Sequence, residues 1–195
     1  VQRGLQDLLE EEAGFKVCGT AESVPDALKK MSDEKPDIAV VDISLPGRSG
    51  LELVQEIRKR LPSVAILVVS VHDESLYAER ALRAGASGYL MKQESIEEFV
   101  EAVQTVLEGE IYVSDAVSAR MMRRVRGGSS PEESPMESLS NRELQVFERI
   151  GKGKATKEIA KELCLSVKTI ETYRQHIKEK LFLDNATELL RHAVH

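Results

Sequence analysis

Three short apolar runs, IAVV at 38–41, VAILVV at 64–69 and GYLM at 88–91, each end at or near a residue with chemistry: Asp42, Ser70 and Lys92. No other feature of the sequence constrains the fold as tightly. The runs lack the strict alternation of a half-solvated strand and read as strands covered on both faces. Segments with apolar residues at helical spacing separate them. Together the patterns predict strands over Phe15–Thr20, Asp37–Val41, Val64–Ser70 and Gly88–Met91. They predict helices over Val1–Glu12, Val24–Met31, Gly50–Leu61, Glu74–Ala84 and Ile96–Glu108. Strands alternating with helices imply βαβ units and a parallel sheet with helices on both faces, an α/β domain. In such sheets ligands bind outside the carboxyl ends of the strands, where all three residues lie.

A flavodoxin-like sheet of this kind runs 2-1-3-4-5, with its first strand between the second and third. Phe15–Thr20 would be the second strand, with no first strand beside it to satisfy its backbone. One more strand is therefore expected upstream of Val1.

The second half reads differently. A helix is predicted over Ser114–Arg126, followed by GGSSPEESPMES at 127–138, an aperiodic Gly, Ser, Pro and Glu stretch with linker composition. From Leu139 onward no strand pattern occurs. Ser140 with Glu143 forms a capping box that opens one helix, and Gly151 and Gly153 close it. Thr156–Leu163 is a second helix, the stretch after Ser166 a third, and the stretch after Asn185 or Thr187 a fourth. Only Cys164 and Leu165 join the second to the third, the tight connection of a helix-turn-helix. The organisation is thus 1–110, an α/β domain; 111–138, connecting helix and linker; and 139–195, a small four-helix domain. Charge follows the same division. Residues 1–118 carry 12 Lys and Arg against 22 Asp and Glu, whereas residues 139–195 carry 11 against 8. The longest uncharged apolar stretch, Leu61–Val71, is far too short to cross a bilayer, so no membrane association is expected. No leader pattern opens the chain. Cys18 and Cys164 lack metal-ligand spacing and read as buried thiols, which suits a reducing cytoplasm. His72, His176, His192 and His195 also lack ligand spacing and read as surface residues.

An acid, a hydroxyl and an amine gathered at successive strand ends suit phosphoryl transfer. The carboxylate is the nucleophile, and the other two hold the phosphoryl oxygens as charge redistributes. A divalent metal eases the approach of an anionic nucleophile to an anionic donor. In the third helix of the last domain, Ile170, Tyr173, Ile177 and Leu181 share a packing face. Lys168, Glu171, Thr172, Gln175 and Lys178 form the opposite face, suited to a major groove. Lys168, Thr169 and Lys178 suit phosphates, while Glu171, Thr172 and Gln175 suit base edges.

Residues VVDISLPGRSG, ILVVSVHDE and AGASGYLMK resemble three conserved-motif regions of the receiver domain of two-component response regulators. The separations fit, 28 residues from Asp42 to Ser70 and 22 from Ser70 to Lys92. The last domain resembles the LuxR-type helix-turn-helix of the NarL/FixJ group along LSNRELQVFERIGKGKATKEIAKELCLSVKTIETYRQHIKEKL. The resemblance implies a DNA-binding response regulator of the bacterial cytoplasm, not an enzyme. Asp42 would be the phosphoacceptor, with a sensor histidine kinase as donor. Ser70 and Lys92 would contact the phosphoryl group, and Tyr89 would be a switch aromatic drawn inward on phosphorylation. Asp42 and the Ser44 carbonyl would help hold Mg²⁺, with the family's acidic pair expected upstream of Val1. The partners implied are double-stranded DNA and a second copy of the chain, paired through the last helix. Gln93 stands where the family often has proline. One alternative is a regulator that binds DNA without phosphorylation and uses its receiver for protein contacts. Another, a haloacid-dehalogenase-like phosphatase, needs a second acid two residues after the nucleophile, where Ser44 stands.

Overall fold

The computed structural model describes residues 14–45, 48–126 and 135–194. They fall into two compact units, one ending at Met122 and the other beginning at Arg123. The helix expected over Val1–Glu12 lies outside the described residues, as do Pro46, Gly47, His195 and the 127–134 portion of the linker stretch.

In the first unit the order is α1 (Val24–Glu34), β1 (Ile38–Val41), α2 (Gly50–Arg60), β2 (Ala65–Ser70), α3 (Glu74–Ala84), β3 (Gly88–Met91) and α4 (Ile96–Leu107), followed by α5 (Asp115–Val125). Among the described residues the sheet has three parallel strands in the order β1-β2-β3. Ile38 lies opposite Ala65, and Leu67 opposite Gly88. Leu67 on β2 and Leu90 on β3 pack against Phe99, Ala102, Val103 and Val106 of α4. Ile66 and Val68 point to the other side of β2 and are equally buried. A strand buried on both sides explains the continuous apolar run of β2, whereas β1, expected to be covered likewise, leaves Val40 46% exposed. Capping boxes at Ser49 and Ser95 start α2 and α4.

The strand expected over Phe15–Thr20 is not formed. The segment alternates half-buried Phe15 and Val17 with exposed Lys16 and Cys18, and Phe15 packs on the α4 core. Apolar alternation alone does not make a strand, because a strand needs a neighbour to complete its ladder. At the opposite side of the sheet, Tyr112 bonds to β3 through Tyr89 N to Tyr112 O at 2.8 Å and Tyr112 N to Ser87 O at 3.1 Å.

The second unit contains a short 3₁₀ turn (Pro135–Ser138), α6 (Asn141–Gly151), α7 (Thr156–Glu162), α8 (Val167–Lys180) and α9 (Ala186–Val194). Its core gathers Leu139, Leu144, Phe147, Ile150, Ile159, Ile170, Ile177 and Leu189. Asn185, rather than Thr187, caps α9, its Oδ1 accepting from Glu188 N at 2.9 Å.

Both cysteines are exposed, against the expectation of buried thiols. Cys18 is on the outward side of the unpaired segment. Cys164 takes a left-handed conformation, φ 53°, in the α7–α8 turn, which carries it off the apolar line of α7. His72, expected at the surface, is buried, whereas His176 and His192 are exposed. Among the described residues no helix is long and apolar enough to cross a membrane.

Candidate functional site

Two places collect the residues singled out by sequence. The first is the carboxyl edge of the sheet. Asp42 follows β1 directly, Ser70 is the last residue of β2, and Lys92 follows β3 directly. The parallel ladder brings them side by side, and Lys92 N bonds to Ser70 O at 2.8 Å. Lys92 Nζ donates to Asp42 Oδ2 at 2.6 Å, and the Ser44 backbone N–H donates to Asp42 Oδ1 at 2.9 Å. The Asp42 side chain keeps 30% exposure and Lys92 41%, so the pair is open to a reactant from solvent.

Gly50 sets the shape of the loop. Its N–H donates to Ile43 O at 2.9 Å, which brings the start of α2 against the Asp42 backbone. A Cβ there would lie 2.7 Å from Asp42 C and 2.8 Å from Ile43 Cα, and nearer still to the Asp42 carbonyl oxygen. Only a residue without a side chain allows that approach.

Ser70 is fully buried, and its Oγ accepts from His72 N at 3.2 Å. Among the described residues no acceptor takes its hydroxyl proton, which leaves that proton for an incoming oxygen. Tyr89 is 2% exposed, and its hydroxyl donates to His72 O at 2.7 Å. The ring expected to be drawn inward on phosphorylation is thus already inside with Asp42 unmodified.

His72 is the residue that sequence reasoning missed. Its Nε2 lies 2.9 Å from Ser44 Oγ, its ring stacks on Tyr77 with centroids 4.7 Å apart, and its backbone meets both Ser70 and Tyr89. It thereby ties the loops after β1 and β2 to the buried tyrosine. The sequence around His72 carries no mark of this; the contact follows from the register that pairs Val41 with Val68 and, carried past the strand ends, brings Ser44 to within one residue of His72.

The magnesium implied by the resemblance is not matched by these residues alone. Mg²⁺ takes a near-octahedral oxygen shell. Of the carboxylates in these loops, Asp42 is already engaged by an ammonium and an amide, and Asp73 caps α3. Among the described residues no group of three His, Cys, Asp or Glu could hold a metal ion.

The second place is the outer face of α8. Lys168, Glu171, Thr172 and Gln175 are exposed, and Lys178 is half-buried. Ile170 and Ile177 are buried on the opposite face, with Tyr173 and Leu181 half-buried beside them. Thr169 also serves the start of α8. Its hydroxyl lies 2.7 Å from Ser166 Oγ and its N–H donates to the same oxygen, so it completes the N-cap. Gln175 Nε2 donates to Glu179 Oε1 at 2.8 Å, which leaves its second N–H and its Oε1 for another partner.

Behind α8 lies a carboxylate that sequence reasoning recognised only as a capping residue. Glu143 of α6 is 3% exposed. It accepts from Ser140 N at 2.7 Å and Lys180 Nζ at 2.6 Å, and lies 3.6 Å from His176 Nδ1. Burial alone would raise its pKa, but the Lys180 hydrogen bond, the Ser140 bonds and the Lys180 charge outweigh it and hold the carboxyl below its ordinary value.

Comparison with known proteins identifies a family for each part of the chain. Residues 1–104 match the family described as the response regulator receiver domain, and residues 137–193 match bacterial regulatory proteins of the luxR family. The response regulator GacA of Pseudomonas aeruginosa is 34% identical over 196 residues, covering 100% of this chain and 90% of GacA. The oxygen regulatory protein NreC of Staphylococcus epidermidis is 33% identical over 200 residues, covering 100% of this chain and 92% of NreC. A LuxR-family two-component response regulator from an Aurantimonas species superposes with a TM-score of 0.59 at 31% identity, over 65% of this chain and 90% of that one. RcsB from Salmonella enterica serovar Typhimurium, solved on promoter rprA with the phosphomimetic BeF3⁻, shares the fold. Its TM-score is 0.63 at 22% identity, over 99% of this chain and 92% of that one.

Proposed function

Because the chain belongs to the response regulators that join a receiver domain to a LuxR-type DNA-binding domain, we propose that phosphorylation of Asp42 controls its binding to double-stranded DNA. The donor is the phosphohistidine of a sensor histidine kinase. An Asp42 carboxylate oxygen attacks phosphorus, the phosphorus–nitrogen bond breaks, and the imidazole nitrogen keeps the electron pair. The observation that carries this reading is the Asp42 carboxylate at the end of β1, solvent-open and 2.6 Å from the Lys92 ammonium. Lys92 follows the charge onto the phosphoryl oxygens, and the Ser70 hydroxyl donates to one of them. Movement of Ser70 toward the phosphoryl group pulls on His72, and through it on Ser44 and Tyr89. Tyr89 then acts by holding or releasing that loop, not by swinging in from solvent. Receiver domains generally use Mg²⁺ for this step.

In the second unit, Lys168 and Lys178 contact phosphates, while Glu171, Thr172 and Gln175 face base edges. Thr169, at the start of α8, contacts a phosphate beside Lys168. Leu190 and Val194 of α9, 44% and 63% exposed, offer an apolar strip for a second copy of the chain. The protein then works as a dimer in the bacterial cytoplasm. A regulator that binds DNA without phosphorylation and uses its receiver for protein contacts is the second reading.

Intact mass before and after treatment with acetyl phosphate and Mg²⁺ tests the first reading. One phosphoryl adduct, lost in Asp42→Ala, with a rise in affinity for a duplex selected from random DNA, is the expected outcome. No adduct with unchanged DNA binding gives the second reading precedence.

A further inference from the structure

We propose that Glu143 is a positioning residue for sequence readout: from α6 it fixes the rotation of α8 about its own axis, through Lys180 and His176. The proposal rests on the DNA-binding reading above.

The need for such a device follows from how α8 is anchored. Its buried residues are Ile170 and Ile177. Seven residues apart, they lie on nearly one line along the helix. Anchors on one line set the tilt of a helix but resist roll about that line weakly. With side chains a helix has a radius of about 5–6 Å, so a roll of about 10° displaces an outer side chain by about 1 Å. That displacement exceeds the window within which a hydrogen bond to a base edge keeps its geometry. Glu171, Thr172 and Gln175 would all be displaced together.

Tyr173 and Leu181, only half-buried, add packing beside that line, and Glu143 supplies a buried, charged restraint off it. Lys180 is three residues beyond Ile177, about 60° around the helix from it, and is therefore off the anchoring line. Its ammonium reaches the Glu143 carboxylate at 2.6 Å, and His176 approaches the other oxygen at 3.6 Å. The carboxylate is itself fixed, because it also accepts from Ser140 N at the start of α6. A surface ion pair would be a soft restraint. Here the acid is buried, and rolling α8 away would leave its charge without its cation, which is strongly disfavoured. The geometry therefore couples the first turn of α6 to the last turns of the helix that carries the candidate base contacts.

The test uses the full chain and a duplex selected by the wild type from random-sequence DNA, with a scrambled duplex of the same composition. Affinity for both is measured for the wild type, Glu143→Gln, Lys180→Met, Lys180→Arg and the double variant E143Q/K180M. Glutamine still serves the capping box, so Glu143→Gln removes the ion pair and keeps the cap. Lys180→Met keeps most of the side-chain stem and changes a residue whose side chain is 38% exposed, so it carries the test if Glu143→Gln is unfolded at the assay temperature. The expected result is a fall of about tenfold in the ratio of selected to scrambled affinity in each single variant. The double variant falls no further, and Lys180→Arg retains the ratio. Parallel loss of both affinities, with the ratio unchanged within about twofold, overturns the proposal, because lost stability or a lost phosphate contact does only that. A wild type that selects no duplex overturns the DNA-binding reading itself. A selected duplex with an unmoved ratio overturns only the role of Glu143.

Discussion

Substituting Gly50 by alanine tests the geometry that shapes the Asp42 loop. Ordinary contact for a Cβ begins near 3.4 Å, whereas the new Cβ would lie 2.7 Å from Asp42 C, so a retreat of about 0.7 Å is needed from that atom alone. The obstacles are backbone atoms and cannot turn aside. Asp42 cannot yield easily either, since β1 is laddered to β2 and the carboxylate is held by Lys92 and Ser44. The start of α2 must therefore move. It stretches the Gly50 N to Ile43 O bond, worth about 1 kcal/mol, and disturbs the Ser49 capping box, worth about another. It also lifts Leu51 and Val54, both fully buried, from a packed core, adding about 1–3 kcal/mol. The higher helix propensity of alanine returns at most about 1 kcal/mol. The expected net loss is about 2–4 kcal/mol, confined to the first unit. Urea unfolding followed by circular dichroism measures it, and hydrogen exchange of α2 and α4 peptides assigns it to that unit. A variant within about 0.5 kcal/mol of wild type would refute the claim that backbone contact forces glycine here.

Lys92→Met separates stability from chemistry. Its pair with Asp42 is partly exposed on both sides, so thermal unfolding should shift by less than about 1 kcal/mol, while the acetyl phosphate adduct disappears from the mass spectrum. Tyr89→Phe removes the buried hydroxyl from His72 O and should cost about 1–3 kcal/mol in urea titration. Acid should weaken the second unit through Glu143. Its folded pKa is below its ordinary value, so its contribution is full above pH about 4.5 and is lost as pH falls through the lowered folded value. Melts at decreasing pH should show that loss in the wild type and not in Glu143→Gln.

The elements and site residues that could be read from sequence are those decided locally. The buried strand β2 announces itself as an apolar run, and three helices announce their starts as a Ser with a Glu three residues on, at Ser49, Ser95 and Ser140. Asp42 and Lys92 were legible because a parallel sheet always delivers the ends of its strands to one edge. What escaped was decided by neighbours distant in sequence. Phe15–Thr20 has strand composition and no strand partner among the described residues. Cys164 has an apolar context, yet a left-handed turn faces it outward. His72 has an ordinary polar surrounding in sequence, but Ser44, Tyr77 and Tyr89 enclose it from two other segments and from α3.

These two kinds of residue divide the labour of the candidate switch. Asp42 and Lys92 face solvent and are free to meet a phosphoryl donor, whereas Ser70, His72 and Tyr89 are buried. A buried polar chain is a stiff transmitter, because each broken bond leaves a desolvated group that must be satisfied elsewhere. Movement of Ser70 Oγ toward a phosphoryl oxygen stretches the bond it accepts from His72 N and thus cannot stay local. The His72 amide must find a new acceptor or the loop must move, and the loop leads directly into Asp73, the cap of α3. The same logic holds at Glu143, where one buried carboxylate ties the cap of α6 to the far end of α8. In both units the candidate reactive or reading groups lie outside, with a polar residue sealed behind them.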